Sequence, residues 1–161
     1  MVEPITLTLA LIAAAGGVVA VSKALYGITY RARFKVTFAD GSKRLQCKGS
    51  ETRTLPIYIT SKSKKGVISR TVYVHISQDF KISEYRWADE RGSATTHERA
   101  GRFAKMQYFE VFEQGMIIDP GEVEEIDLDV SSPTGGVYPI YVTLYPEDEK
   151  SKLYHLEVAI A

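Results

Sequence analysis

Three histidines, an acidic run and a single cysteine carry most of the catalytic or metal-binding potential of this chain. His75, His97 and His155 lie far apart and lack the i, i+4 spacing by which a helix offers two imidazoles to one metal ion. His75 and His155 fall in strand-like stretches and His97 in a polar one, so the expectation is three surface histidines rather than a zinc site. Glu122, Glu124, Glu125, Asp127 and Asp129 form an acidic ladder that could attract Ca²⁺. The spacing is not that of an EF-hand loop, however, and alternation sets Asp127 and Asp129 together on one wet strand face. Cys47, the sole cysteine, excludes an intrachain disulfide and a cysteine-based metal cluster. It has no nearby histidine in sequence and no glycine–aromatic context, so it reads as a small packing residue. No G-x-S-x-G elbow and no phosphate-cradling glycine loop occurs. Lys62, Lys64, Lys65 and Arg70, with Tyr58 and Tyr73 near them in sequence, offer cations and rings to nucleic acid or anionic lipid. No nucleic-acid module surrounds them, and a charged hairpin tip is the simpler reading. The expectation is a chain without catalysis, cofactor, metal or nucleic-acid partner; an enzyme assembled from distant strands has no positive signal.

The elements that must position these residues are strands. Tyr30 to Phe38 alternates, with Ala32, Phe34, Val36 and Phe38 on one face, and stops at Asp40-Gly41. Lys43 to Lys48 is expected to return from that turn as a hairpin partner, and Leu55 to Thr60 follows, with Pro56 arguing for a sheet edge or strand start. Lys62 to Gly66 reads as a basic turn. Val67 to Ser77 then sets Val72, Val74 and Ile76 against Thr71, Tyr73 and His75, before a strand from Phe80 to Trp87. Ala88 to Gly101 is polar enough to predict an exposed loop. Near Phe103 to Phe112 the pattern is aperiodic, and a strand around Tyr108 to Glu113 competes with a short helix opening near Thr96. The last third is plainer: a turn at Asp119-Pro120-Gly121-Glu122, an alternating strand through Ile126, Leu128 and Val130, a turn at Ser132 to Gly136, and a hairpin of Val137–Tyr145 with Leu153–Ile160. Strands roughly ten residues apart, with no long amphipathic helix between them, predict an immunoglobulin-like antiparallel β-sandwich over residues 29–161.

Residues 1–28 obey a different rule. Pro4 to Ser22 is 19 residues without a charge, and Lys23 is the only charge before Arg31. At ~1.5 Å per residue a helix of that length nearly matches the ~30 Å hydrocarbon core of a bilayer. The expectation is a long N-terminal apolar helix, either a membrane anchor or a filament-core helix. Val18-Val19-Ala20 and Ala20-Val21-Ser22 loosely fit a signal-peptide cleavage triplet, but Met-Val-Glu-Pro supplies no basic start, so a retained helix is the preferred reading. Ala13, Gly16, Gly17 and Ala20 recur at three- and four-residue spacing and would let a second helix approach closely, although glycine is frequent in membrane helices in any case. Tyr26 and Tyr30 suit the membrane interface, and Lys23 can snorkel toward headgroups. Arg31, Arg33 and Lys35 are already explained as the wet face of a strand, so Lys23 alone bears on orientation. The partners expected are the lipid bilayer, other copies of the chain through this helix, and proteins met by the sandwich.

Net charge is zero, but its distribution is lopsided: Lys23 to Phe109 holds 18 Lys/Arg against 7 Asp/Glu, and Glu110 to Ala161 holds 2 against 12. The halves either satisfy one another within the fold, the blander reading, or pair with neighbouring copies. Asparagine is absent, which removes N-glycosylation sites and fits the avoidance of heat-labile amides in thermophiles, with compositional drift as the alternative.

Two stretches carry a resemblance. Asp119 to Tyr145 resembles the closing strands of immunoglobulin-like modules in prokaryotic surface proteins, where a Pro-Gly turn precedes one strand and a Gly-rich turn starts the next. Residues Ile5 to Val21, joined directly to the strand at Tyr30, resemble the layout of archaeal type IV pilin-like subunits. That resemblance implies helices packed in a filament core with sandwiches displayed outside at the cell surface. The departure is the lack of a basic-residue-plus-glycine processing site before the apolar run, so either Met1 is the mature start or the pilin reading fails. The alternative is a single-pass accessory subunit of a membrane protein complex.

Overall fold

The computed structural model describes residues 31–49, 51–87, 90–92, 97–98, 103–111, 116–131, 134–147 and 149–161. The expected helix over 1–28, its packing residues Ala13, Gly16, Gly17 and Ala20, and the interface residues Lys23, Tyr26 and Tyr30 lie outside these. Among the described residues no helix is long and apolar enough to cross a membrane. Ala32–Ala161 forms one compact unit.

Its strands are β1 (Phe34–Phe38), β2 (Arg44–Cys47), β3 (Thr52–Ser61), β4 (Val67–Ser77), β5 (Lys81–Trp87), β6 (Glu90–Gly92), β7 (His97–Glu98), β8 (Met106–Glu110), β9 (Met116–Ile118), β10 (Val123–Ser131), β11 (Gly136–Pro146) and β12 (Lys152–Ile160). They form two sheets. Sheet A runs β1-β3-β10-β5-β6, and sheet B runs β2-β12-β11-β4-β8-β7, with β9 also paired to β4. The inward residues of both sheets make one core: Val36, Phe38, Leu55, Ile57, Ile59, Ile126, Leu128 and Val130 from sheet A; Val72, Val74, Ile76, Phe109, Ile140, Val142, Leu144, Leu156 and Val158 from sheet B. All but Phe109, which comes from the aperiodic stretch, belong to runs that alternate in the sequence, because a pleated strand sends every second side chain to the same face.

Several expectations are corrected. Asp40-Gly41 does turn the chain, with Gly41 at φ 78° and its N–H bonded to the Phe38 carbonyl. Yet β2 does not return beside β1: it crosses to sheet B and pairs with β12 in parallel, Arg44 opposite Glu157 through Cys47 opposite Ile160. Among the described strands the sandwich is thus antiparallel except for this pair. The place beside β1 is taken by β3, and β2 instead covers the C-terminal half of β12, where Leu45 and Cys47 reach the core. Pro56 stands inside β3 rather than at its start, on the part of that strand that has a single neighbour among the described strands and so is locally an edge, as expected. The β1 pairing stops at Phe38 opposite Ile57, so at Pro56 only β10 flanks β3, and the missing N–H is tolerated there. The stretch Ala88–Gly101 is not all loop. β6 closes onto β5 in sheet A and β7 onto β8 in sheet B, so this connection carries the chain from one sheet to the other. Near Tyr108 the strand prevails, as β8, two residues earlier than expected. The Pro120-Gly121 turn is as expected: Gly121 sits at φ 81° and the Glu122 N–H bonds to the Asp119 carbonyl.

Candidate interaction surfaces

With one cysteine buried at the rim of the core, Cys47 has the packing role expected of it. Among the described residues no group of three His, Cys, Asp or Glu is placed to hold a metal ion. The chemistry of the domain lies instead on its two outer sheet faces.

On sheet B the register brings the three histidines into one row. His97 of β7 pairs with Tyr108, Tyr108 with His75, His75 with Tyr141, and Tyr141 with His155. Strands lie about 4.8 Å apart, so His75 and His155, two strands apart, are about 10 Å from each other and share no metal ion. They share rings. His75 lies flat on Phe103 (centroids 4.3 Å, planes 8°), Phe103 meets Tyr141 edge-on at 5.6 Å, and Tyr141 stacks on His155 at 5.0 Å. Tyr73 extends the cluster edge-on to Tyr108 and Tyr145. His155 is exposed, as expected, but His75 is only 2% exposed, which corrects the surface reading. The residues flanking β8 explain it: Phe103 folds over the sheet and covers the imidazole, a contact between segments that alternation within β4 does not register. Tyr73 is held protonated beyond the usual phenol range, first by burial and then by the carboxylate of Glu110.

Sheet A carries the acidic ladder. Asp127 and Asp129 share the outer face as expected, but both are half-buried and bonded across strands rather than simply solvated. Arg86 on β5 reaches Asp127 and Asp129, at 3.4 Å each, and the Thr54 hydroxyl donates to Asp129 at 2.5 Å. Burial, then Glu125, raise the Asp127 carboxyl above its ordinary range, Arg86 opposes them, and Asp129 adds to the rise. The Tyr58 hydroxyl bonds to Glu125, which raises the phenol. Glu124 belongs to the other face, where its carboxylate accepts the Trp87 indole N–H at 2.9 Å. Thus part of the acidic half is satisfied within the fold by residues of the basic half.

The basic cluster does not assemble around its tyrosines. Tyr58 lies on sheet A and Tyr73 on sheet B, on strands separated by the Lys62–Gly66 turn, and each ring is bound to a different neighbour. Sequence reasoning missed Phe103, Tyr108, Tyr141, Arg86 and Thr54. The available signal was an aromatic or polar residue at the wet position of a strand, which becomes specific only when the register is known.

No protein-family model matches the chain, and no curated protein is similar to it in sequence. Solved structures are similar in shape. AvmM, which catalyses macrocyclisation in alchivemycin A biosynthesis, is 9% identical with a TM-score of 0.52 over 82% of this chain and 95% of AvmM. A Corynebacterium diphtheriae protein described as membrane anchored is 10% identical with a TM-score of 0.50, over 81% of this chain but only 36% of its own length. The major pilin subunit of Bacillus cereus, BcpA, is 6% identical with a TM-score of 0.45, over 81% of this chain and 41% of that one. In sheet A the order β1-β3-β10-β5 reproduces the A-B-E-D arrangement, and in sheet B β12-β11-β4 reproduces G-F-C. The fold is an immunoglobulin-like β-sandwich. In this sandwich β1 and β2 are the two halves of a first strand divided between sheets, and β8 is the additional strand beside C. At these identities the likeness is one of fold, and the same fold serves many functions.

Proposed function

We propose that this chain is a non-catalytic structural or interaction protein, in which residues 1–28 form an apolar helix for assembly and residues 29–161 a sandwich that makes lateral contacts. The observation that carries the reading is the charge-free run from Pro4 to Ser22, placed directly before an immunoglobulin-like domain. Such a run loses free energy in water and gains it among lipids or sister helices. Ala13, Gly16, Gly17 and Ala20 would form the close-packed face of the helix, with Lys23, Tyr26 and Tyr30 at the membrane boundary. A pilin-like subunit of a cell-surface filament is the form that joins both parts.

Electron microscopy of the intact protein after detergent extraction tests the proposal. Long filaments are expected, and Gly16→Leu with Gly17→Leu should disperse them while near-UV circular dichroism of the sandwich stays unchanged. A detergent-free soluble monomer would sink the reading, and a defined heteromeric particle would replace the filament with the accessory-subunit alternative.

A further inference from the structure

The basic tip between β3 and β4 is fastened to the start of β1. Phe34 pairs with Ser61, and the Lys62 N–H donates to the Arg33 carbonyl at 2.7 Å, so the ladder runs one step further and sets Arg33 opposite Lys62. Ser63, buried in the tip, closes the join: its hydroxyl accepts the Arg33 N–H at 2.9 Å and donates to the Arg33 carbonyl at 3.2 Å. Phe34, Val36, Ile59 and Ser61 face inward, so alternation turns Arg33, Lys35 and Lys62 to the outer face of sheet A. All three are exposed, as is Lys64 two residues on. Like charges directly opposite one another destabilise a pair of strands. Here they are kept, and among the described residues none of the four cations has an ion pair. The carboxylates around this corner are engaged elsewhere. Glu122 accepts the Asp119 N–H, Asp119 itself lies against Gly66, Glu125 holds the Tyr58 hydroxyl, and Glu149 holds the Ala32 N–H and the Lys152 ammonium. Val123, paired with Thr60 on the same face, is 49% exposed and adds an apolar contact to the corner.

We propose that Arg33, Lys35, Lys62 and Lys64 dock the sandwich on the anionic headgroups of a bilayer, an inference that rests on the reading of residues 1–28 as a segment lodged in lipid. Charge and chain length select this occupant. The description of the sandwich starts at Arg31, and only Lys23 to Ala32 join the charge-free run to Arg33. Fully extended, that connection reaches no more than about 40 Å, so the patch is tethered to the surface the run enters, and a tether makes a weak attraction effective. Each cation near an anionic surface strengthens attachment about fivefold. Neither Arg33 with Lys35, the wet face of a strand, nor Lys62 with Lys64, a hairpin tip, amounts to a patch alone. The register of β1 on β3 joins them.

Energy transfer from Trp87, the only tryptophan, to dansyl-labelled headgroups tests the docking in the full chain reconstituted into vesicles. Trp87 pairs with Ile126, at the same end of sheet A as Val123. Vesicles of phosphatidylcholine alone are compared with vesicles in which one-third of the lipid is phosphatidylglycerol, and flotation reports attachment to each. In about 0.1 M salt, transfer is expected to be about twofold higher in the anionic vesicles, and about 1 M salt, which shortens the screening length to ~3 Å, should abolish the difference. Arg33→Glu with Lys62→Glu should abolish it too; the join uses only backbone groups of these two residues, so the fold is kept. Lys48→Glu with Lys81→Glu makes the same charge change at the other end of the sandwich, near Arg53 and Ser131, and should leave the difference intact. Equal transfer in the two vesicles, or equal loss in both double variants, overturns the proposal; a double-stranded oligonucleotide retained by the chain in the same salt would then be the anion the patch serves. Flotation separates this outcome from the fate of residues 1–28. A chain that floats only with anionic vesicles keeps the docking and loses the lodged segment, one that floats with both but shows equal transfer keeps the segment and loses the docking, and one that floats with neither overturns both.

Discussion

The imidazole of His75 lies flat against the phenyl ring of Phe103, with centroids 4.3 Å apart and planes 8° apart. A histidine on the outer face of a sheet is therefore sealed from water by a residue of another segment. Phe103→Ala removes this lid and the edge contact with Tyr141, and is expected to cost about 2–3 kcal/mol, the range for losing a partly buried aromatic with its ring pairs. Denaturant unfolding of the whole protein measures it, and Phe103→Leu, which keeps most of the cover, should cost less than half as much. Equal losses in both variants would show that ring stacking governs the contact and not burial.

Gln107 is an inward-facing amide on β8, and its Nε2 donates to the carbonyls of Ser77 at 3.1 Å and Phe80 at 2.6 Å. Gln107→Leu leaves two acceptors without this donor and should cost about 1–3 kcal/mol. Gln107→Glu sets a carboxylate against the same two oxygens. Its folded pKa is then raised, so the variant is expected to be most unstable at pH 7 and to recover as pH falls to 4. A melting temperature for Gln107→Glu that does not depend on pH across that window would contradict the assignment.

Asp127 supplies a pH dependence with a definite sign. Its carboxyl is raised by burial, Glu125 and Asp129 against the pull of Arg86, so the folded state holds this proton more tightly than the unfolded state does. The contribution of this group to stability is therefore greatest below the unfolded value of 3.8 and declines as pH rises through the raised folded value. Asp127→Asn should match or exceed the native melting temperature at pH 7, with the difference vanishing near pH 3. Arg86 keeps Asp129 as its partner in that variant. A marked loss at pH 7 would mean that the Arg86 contact outweighs the crowding of carboxylates.

At the alkaline end three tyrosines act together. Tyr58, hydrogen-bonded to Glu125, Tyr73, half-buried beside Glu110, and Tyr154, half-buried on the inner face of β12, are all raised above the ordinary phenol value of 10.0. The folded state thus retains protons that the unfolded chain releases, and stability falls as pH rises above 10.0 toward the folded values. Melting temperature should decline from pH 9.5 upward, and Tyr154→Phe should flatten that decline while losing some stability at pH 7 with its bond to the Phe34 backbone. An equally steep decline in the variant would assign the alkaline transition to other groups.

The sandwich was legible because its signals are local. Ile126, Leu128 and Val130 on β10, or Val72, Val74 and Ile76 on β4, need no partner to announce which face is apolar, and Pro120-Gly121 turns the chain through its own backbone preferences. Val67–Ser77 was readable to the residue for the same reason. β2 was legible as a strand but not as a neighbour: hairpin return and a crossing to the other sheet leave the same alternating pattern. β6 and β7 escaped notice because strands of two or three residues carry no period at all.

Sequence by itself determined which of the longer segments extend, which of their faces are apolar, and that Cys47 has no second cysteine in the sequence to pair with. These follow from residue type and a two-residue period. Only the tertiary structure decided that His97, Tyr108, His75, Tyr141 and His155 form one row, that Phe103 buries His75, that Arg86 spans two aspartates, and that β2 pairs in parallel with β12. Each of these depends on strand register between residues tens of positions apart, and register is set by how two whole faces pack, a property that no single segment contains.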